Sequence, residues 1–211
     1  MKLSNIIIYL IGLNILAIGT VLFKSGRLGV SALVSVPQII SLLLPITLGQ
    51  ATTYFFIILI IIELLLIRKI KLQILLQLVL AFIFGSLVDF YGITLGMERL
   101  LPVNFTLKAL VTLAAIVCTS VGIFMMVKMD LILIPPDGLV HVISGLSKRQ
   151  FGMIKFCFDL STIVISLVLS FVFFDHIEAI GIGTVAAVLL VGQLINVWER
   201  LVRRVNLNFR S

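Results

Sequence analysis

Four ionisable residues stand close together in an otherwise apolar part of this sequence. Asp137 and His141 lie four apart in "PPDGLVH", and Lys155 and Asp159 lie four apart in "KFCFD". On a helix, a spacing of four places both members of each pair on one face. A carboxylate beside an ammonium in low dielectric can hold a cation, or take up a proton when the lysine moves away. Histidine titrates near neutral pH, so Asp137 with His141 suits sensing or relaying protons. The structural alternative is that Lys155 reaches the headgroups, Asp159 hydrogen-bonds to neighbouring helices, Asp137 caps its helix and His141 rests in the interface. Glu63 is placed to reach toward Arg68, and His176 and Glu178 sit in a short solvated turn.

Other chemistry is poorly represented. Cys118 and Cys157 both fall inside apolar runs, so they read as packing residues, and neither a disulfide, a metal site nor a cofactor is implied. No metal-binding His-Glu-x-x-His, no Gly-x-Ser-x-Gly and no phosphate-cradling glycine loop occurs, which argues against an enzyme.

The elements that must position these residues are set by composition. The chain has 211 residues, 61% of them hydrophobic and 12% charged, where soluble domains carry about 25% charge. That composition describes an all-α integral membrane protein with the lipid bilayer as its first partner. The net charge of +7 is dispersed over short hydrophilic breaks, with no basic patch interleaved with aromatics, so nucleic acid is not expected. Runs long enough to cross about 30 Å of hydrocarbon lie near 5–23, 51–67, 72–92, 109–127, 151–173 and 179–198. If these six alternate, one side receives Lys2, Arg68, Lys69, Lys71, Lys128, Lys148, Arg149, Arg200, Arg203, Arg204 and Arg210, and the other only Lys24, Arg27, Arg99 and Lys108. The positive-inside tendency then makes both termini cytoplasmic.

The chain also echoes itself. "SVPQIISLLLPITLGQ" (35–50) parallels "IPPDGLVHVISGLSKRQ" (134–150), with Pro37 against Pro136, Gln38 against Asp137, and Gln50 against Gln150. "FGSLVDF" (84–90) parallels "VGQLINV" (191–197), pairing Gly85 with Gly192 and Asp89 with Asn196, while Gly19 and Lys24 answer Gly122 and Lys128. Two halves of three spans each (about 5–92 and 109–198, before a basic tail at 199–211) must enter the membrane from opposite sides, because three is odd. Segments 36–44 and 138–145 are too short to cross and too apolar for solvent loops. They are expected to be proline-led re-entrant half-helices, the first capped by Ser35 and the second stopped by Gly145. Read otherwise, 24–50 is an amphipathic external loop and 131–150 a cytoplasmic loop with a Pro-Asp-Gly turn.

"IPPDGLVHVISGLSKRQFGMIKFCFDL" and the later "GIGTVAAVLLVGQLI" resemble the YczE/YyaS/YitT family of bacterial polytopic membrane proteins. The resemblance rests on Asp137, Phe151-Gly152, Asp159 and Gly181 to Thr184, and it weakens in the first half, where Gln38 stands in place of an acid. It implies a bacterial inner-membrane protein. The function expected is secondary transport of a small molecule or ion where the half-helices meet. Asp159, Lys155, Asp137, His141, Gln150, Pro136, Gln38, Gln50, Asp89 and Asn196 are the candidate binding residues. The rival expectation is a membrane accessory or scaffold that pairs with a second copy or another membrane protein.

Overall fold

The computed structural model describes residues 3–69 and 71–208, with side chains as far as 202. Among the described residues there are eight α-helices: α1 (Leu3–Gly26), α2 (Ala32–Leu43), α3 (Leu48–Ile67), α4 (Leu72–Asp89), α5 (Phe105–Met129), α6 (Pro135–Ser147), α7 (Phe151–Phe174) and α8 (Ile182–Asn208). A π-helical turn over Phe90–Thr94 prolongs α4. Leu3–Gly26, Leu48–Ile67, Leu72–Thr94, Phe105–Met129, Phe151–Phe174 and Ile182–Val202 are each long and apolar enough to cross a membrane, so the chain is an all-helical, multi-pass membrane protein. Successive crossings put the starts of α1, α4 and α7 and the ends of α3, α5 and α8 at one face, here the near face. Of the charges counted for topology, Lys2 and Arg210 lie outside the described residues, as do the side chains of Arg203 and Arg204. The expected basic tail continues α8 as helix to Asn208.

Most helices extend past the apolar runs because caps, rather than hydropathy, decide where a helix ends. α3 starts three residues before the expected 51 because the Thr47 hydroxyl accepts the Gln50 N–H while the Gln50 carboxamide oxygen accepts the Thr47 N–H, both at 3.1 Å. The last span starts late, at Ile182 rather than 179, because Ala179 turns the chain with φ 61°. The short helices also differ from expectation at their ends. Ser31, not Ser35, is the N-cap residue of α2, and Ser35 lies inside it with its hydroxyl on the Ala32 carbonyl at 3.0 Å. Pro37 is therefore interior rather than in the first turn. In α6, Pro135 and Pro136 do occupy the first two positions, where a missing N–H costs nothing. Gly145 does not stop α6, which runs to Ser147 and closes on Lys148 with φ 52°.

The frame is an antiparallel pair. Gly12 faces Gly122 and Met125, Gly19 faces Ala115 and Thr119, and Gly26 faces Lys108 and Thr112, so α1 and α5 pass backbone to backbone. The glycines recur every seven residues, the spacing that keeps a seam on one side of gently supercoiled helices. α4 lies along α1, where the Tyr91 hydroxyl donates to Asn14 Oδ1 at 2.9 Å, and α8 lies along α5, where Trp198 Nε1 donates to Ser120 Oγ at 3.0 Å. α3 and α4 form a tight hairpin in which the Gly49 and Gly85 backbones meet and Phe56 stacks on Phe84. α7 and α8 have no comparable contact, and Gly192 has open space beside it.

α2 and α6 both sit between α3 and α7. In each, the N-terminal part is buried, from Ala32 to Ile39 apart from partly exposed Leu33, and from Pro135 to Val140. Thr162 of α7 donates to the Ala32 carbonyl at 3.2 Å, and Ser35 donates to the Thr162 carbonyl at 3.4 Å. Thr162 is roughly 18 Å along α7 from its far end at Phe174, at about 1.5 Å per residue.

Candidate functional site

Two turns of α7 receive both short helices. Ala32 and Ser35 of α2 meet Thr162, while Asp137, in the third position of α6, meets Lys155. Lys155 Nζ lies 3.0 Å from Asp137 Oδ1 and 3.0 Å from Asp159 Oδ1, so one ammonium serves two carboxylates. Each side chain has a local reason for its place. Proline fits the first two positions of α6, where its missing N–H loses no bond, and the partial positive charge of the helix start favours an acid in the first turn. Lys155 and Asp159 are a turn apart on one face of α7, and the lysine head also lies over the Phe158 ring at 5.7 Å. The formal charge of the three groups together is negative by one. Their side chains are 12%, 27% and 22% exposed for Asp137, Lys155 and Asp159, which limits solvent screening.

The other side of α6 faces Glu63 of α3 and Gln77 of α4, which are 3% and 4% exposed. Gln77 Nε2 donates to Glu63 Oε1 at 3.4 Å, while Glu63 Oε2 and Gln77 Oε1 are buried with no protein partner. Gly138 is what lets α6 come so close. A Cβ there would strike the Gln77 carboxamide and sit 2.9 Å from Glu63 Oε2. Glu63, Gln77, Asp137, Gly138 and His141 line a cavity of about 330 Å³ between α3, α4, α5 and α6. Exposed Lys71, Gln73 and His141 border it, so it opens at the near face.

Of the residues singled out from the sequence, Asp137, Lys155 and Asp159 are brought together, with Pro136 buried behind Asp137. His141 is on the cavity wall but makes no hydrogen bond or ion pair with Asp137, whose carboxylate is turned to Lys155. Gln38 is buried in α2 with its carboxamide oxygen unpaired. Gln50 is used in the α3 capping box, and Gln150 is the exposed N-cap residue of α7 with no side-chain cap bond. Asp89 is committed to the start of α3, where its carboxylate accepts the Gly49 N–H at 2.9 Å and the Thr47 hydroxyl. Asn196 is exposed on α8 and shares no polar seam with it. Glu63 does not reach Arg68 but turns inward to Gln77. Gln77 was not anticipated. A lone glutamine inside a span was the signal that could have marked it, since an amide in hydrocarbon needs a partner.

Together these features define a six-crossing helical membrane protein with an acidic, one-sided cavity that ends against the short helix α6. The chain belongs to a family of unknown function, DUF6198, whose model matches residues 3–200. No curated protein and no solved structure matches it.

Proposed function

We propose that this protein is a secondary transporter that moves a small molecule or ion across a bacterial inner membrane. One observation carries the reading: a cavity of about 330 Å³ leads from the near face to two buried acids, Glu63 of α3 and Asp137 at the start of α6. Pockets of roughly 300 Å³ or more are the size that small ligands occupy.

The mechanism we infer is alternating access between two inverted halves, each with a re-entrant short helix. Three facts support it. The first three helices of the halves start 102, 103 and 103 residues apart (Leu3 and Phe105, Ala32 and Pro135, Leu48 and Phe151). The corresponding helices α1 and α5 run antiparallel, as copies inserted upside down must. Packing is reciprocal, α2 lying on α7 as α6 lies on α3. The bias of eleven lysines and arginines against four makes the near face cytoplasmic in this reading. The resemblance to the YczE/YyaS/YitT proteins agrees with a bacterial location.

The test is flux. Purified protein in liposomes, on a solid-supported membrane, is exposed to a broad panel of metabolites under proton and sodium gradients. Transport predicts a saturable current with at least one solute that disappears in the Asp137→Asn/Lys155→Met/Asp159→Asn triple variant. No current and no binding across the panel would sink the reading. A second reading, a membrane accessory, draws on the sparse contact between α7 and α8 and their largely exposed surfaces. Purification with one stoichiometric membrane partner, lost when 199–211 are removed, would favour it.

A further inference from the structure

We infer that the cavity is built for an organic cation that carries N–H donors, a primary ammonium or a guanidinium, bound by Glu63 and Gln77. The inference rests on the transport reading only for the route, since binding is measurable without flux.

The chemistry of the inner end of the cavity is one-sided. Glu63 Oε2 and Gln77 Oε1 are both acceptors, both buried, and both without a protein partner. They are not scattered, because a single added Cβ on Gly138 would lie 2.9 Å from each of them. Two unpartnered acceptors on side chains that line the cavity converge at its inner end, an arrangement suited to a ligand that brings donors. An unpaired ionised carboxylate out of water is costly, so Glu63 must either hold a proton or meet a cation. Among the described residues no lysine, arginine or histidine lies within ion-pair distance of Glu63, and the nearby Asp137 is already engaged with Lys155. Lys71 and His141 border the same cavity where it opens, but neither touches Glu63, so the place against Glu63 Oε2 is left for an incoming cation.

The rest of the wall selects the kind of cation. Leu16, Ile67, Ile74 and Met126 contribute apolar surface to the same cavity. A bare divalent metal wants about six or more oxygens, and two free ones on a single wall fall short. An ammonium brings three donors and a guanidinium five, enough to satisfy both acceptors at once, while a hydrocarbon body lies against the apolar side. Gly138 borders this point closely, and any larger residue there would press on the Gln77 carboxamide and Glu63 Oε2 and displace both acceptors.

The full chain in nanodiscs, followed by thermal unfolding, tests this with methylammonium, n-butylammonium and guanidinium chlorides at millimolar concentration. Tetramethylammonium and sodium chlorides at equal ionic strength are the controls. The expected result is a saturable rise in the unfolding midpoint with the N–H cations and none with the controls. Glu63→Gln should weaken the apparent affinity by about 10- to 100-fold, the worth of a hydrogen bond to a charged group. Gly138→Ala should remove the shift. Should Glu63→Gln fail to fold, Glu63→Asp keeps the charge but withdraws it by one methylene, and should bind the same cations more weakly. Equal shifts with tetramethylammonium or sodium, or full affinity in Glu63→Gln, would overturn the inference. So would no shift with any N–H cation, the behaviour of a protonated Glu63 that takes no ligand. Flux separates the two proposals. Amine binding without transport refutes the transporter and leaves the cation site standing, whereas transport of a neutral or anionic solute without amine binding does the reverse.

Discussion

Replacing Lys155 by methionine isolates the energetics of the shared ammonium. At 3.0 Å each, Asp137 and Asp159 are held by one cation, and none of the three side chains is more than 27% exposed. With an effective dielectric near 20, each attraction is roughly 5 kcal/mol before desolvation is counted. Desolvation consumes much of that, and removing one partner of a buried pair costs about 3–5 kcal/mol net. Lys155→Met keeps the length of the side chain and leaves two carboxylates facing each other. At about 2–4 °C per kcal/mol for a chain of this size, its midpoint should fall by roughly 6–20 °C. Asp137→Asn or Asp159→Asn alone should cost less, because the lysine keeps one partner. Neutralising all three should recover most of the loss, since uncharged side chains of similar shape need no counter-charge. The assay is the unfolding midpoint of purified protein in one detergent, repeated by titration with a denaturing surfactant. Equal stability of Lys155→Met and the parent, or a triple variant no better than Lys155→Met, would refute the idea that this ammonium neutralises both acids.

Gly49→Ala should destabilise by about 1–3 kcal/mol, because its Cβ would strike the Gly85 carbonyl; a midpoint within error of the parent would show that the α3–α4 hairpin is looser than described. Asp89→Ala removes the acceptor of the Gly49 N–H and the Thr47 hydroxyl, and should cost about 1–3 kcal/mol, with Asp89→Asn retaining part of it; hydrogen exchange at the start of α3 reads the effect directly. In the turn between α7 and α8, the hydrogen bond from His176 to Glu178, aided by the Phe174 carbonyl, raises the imidazole above its ordinary value. Its contribution to the turn is fully present below about pH 6.5, the unfolded value, and is lost as pH rises through the raised one. Histidine NMR should place the His176 midpoint above about 6.5 and lower it in Glu178→Gln; a midpoint at or below that value contradicts the pairing. Single cysteines at positions 69 and 178, in a background lacking Cys118 and Cys157, should label from opposite sides of sealed vesicles, and labelling from one side would remove the six-crossing topology.

Apolar run length alone locates the spans to within about four residues, because crossing hydrocarbon requires it whatever the neighbours are. What run length does not carry is where the backbone finds its caps, so Gln50, noticed as half of a repeat, proved to be part of the Thr47 capping box. Lys155 and Asp159 could be paired from spacing because both lie on one helix. The Asp137 to Lys155 bond could not, because it depends on how α6 folds back onto α7. Glu63 misleads for the same reason. One turn from the end of its helix, it has the position of a side chain reaching for water, and only the arrival of Gly138 encloses it. The glycines at 12, 19 and 26 were legible in principle, for a strict interval of seven is visible in the text, yet which partner they serve is a tertiary fact.

Those three glycines have a consequence for how the molecule tolerates change. Where α1 meets α5, the thickness of the joint is set by hydrogen atoms rather than by side chains. A methyl group introduced at Gly19 would lie 2.6 Å from the Thr119 hydroxyl and act as a wedge at the middle of the protein's longest internal boundary. Because both helices traverse the bilayer, such a wedge would be felt toward both surfaces at once, and also at Leu16 and Met126 on the cavity wall.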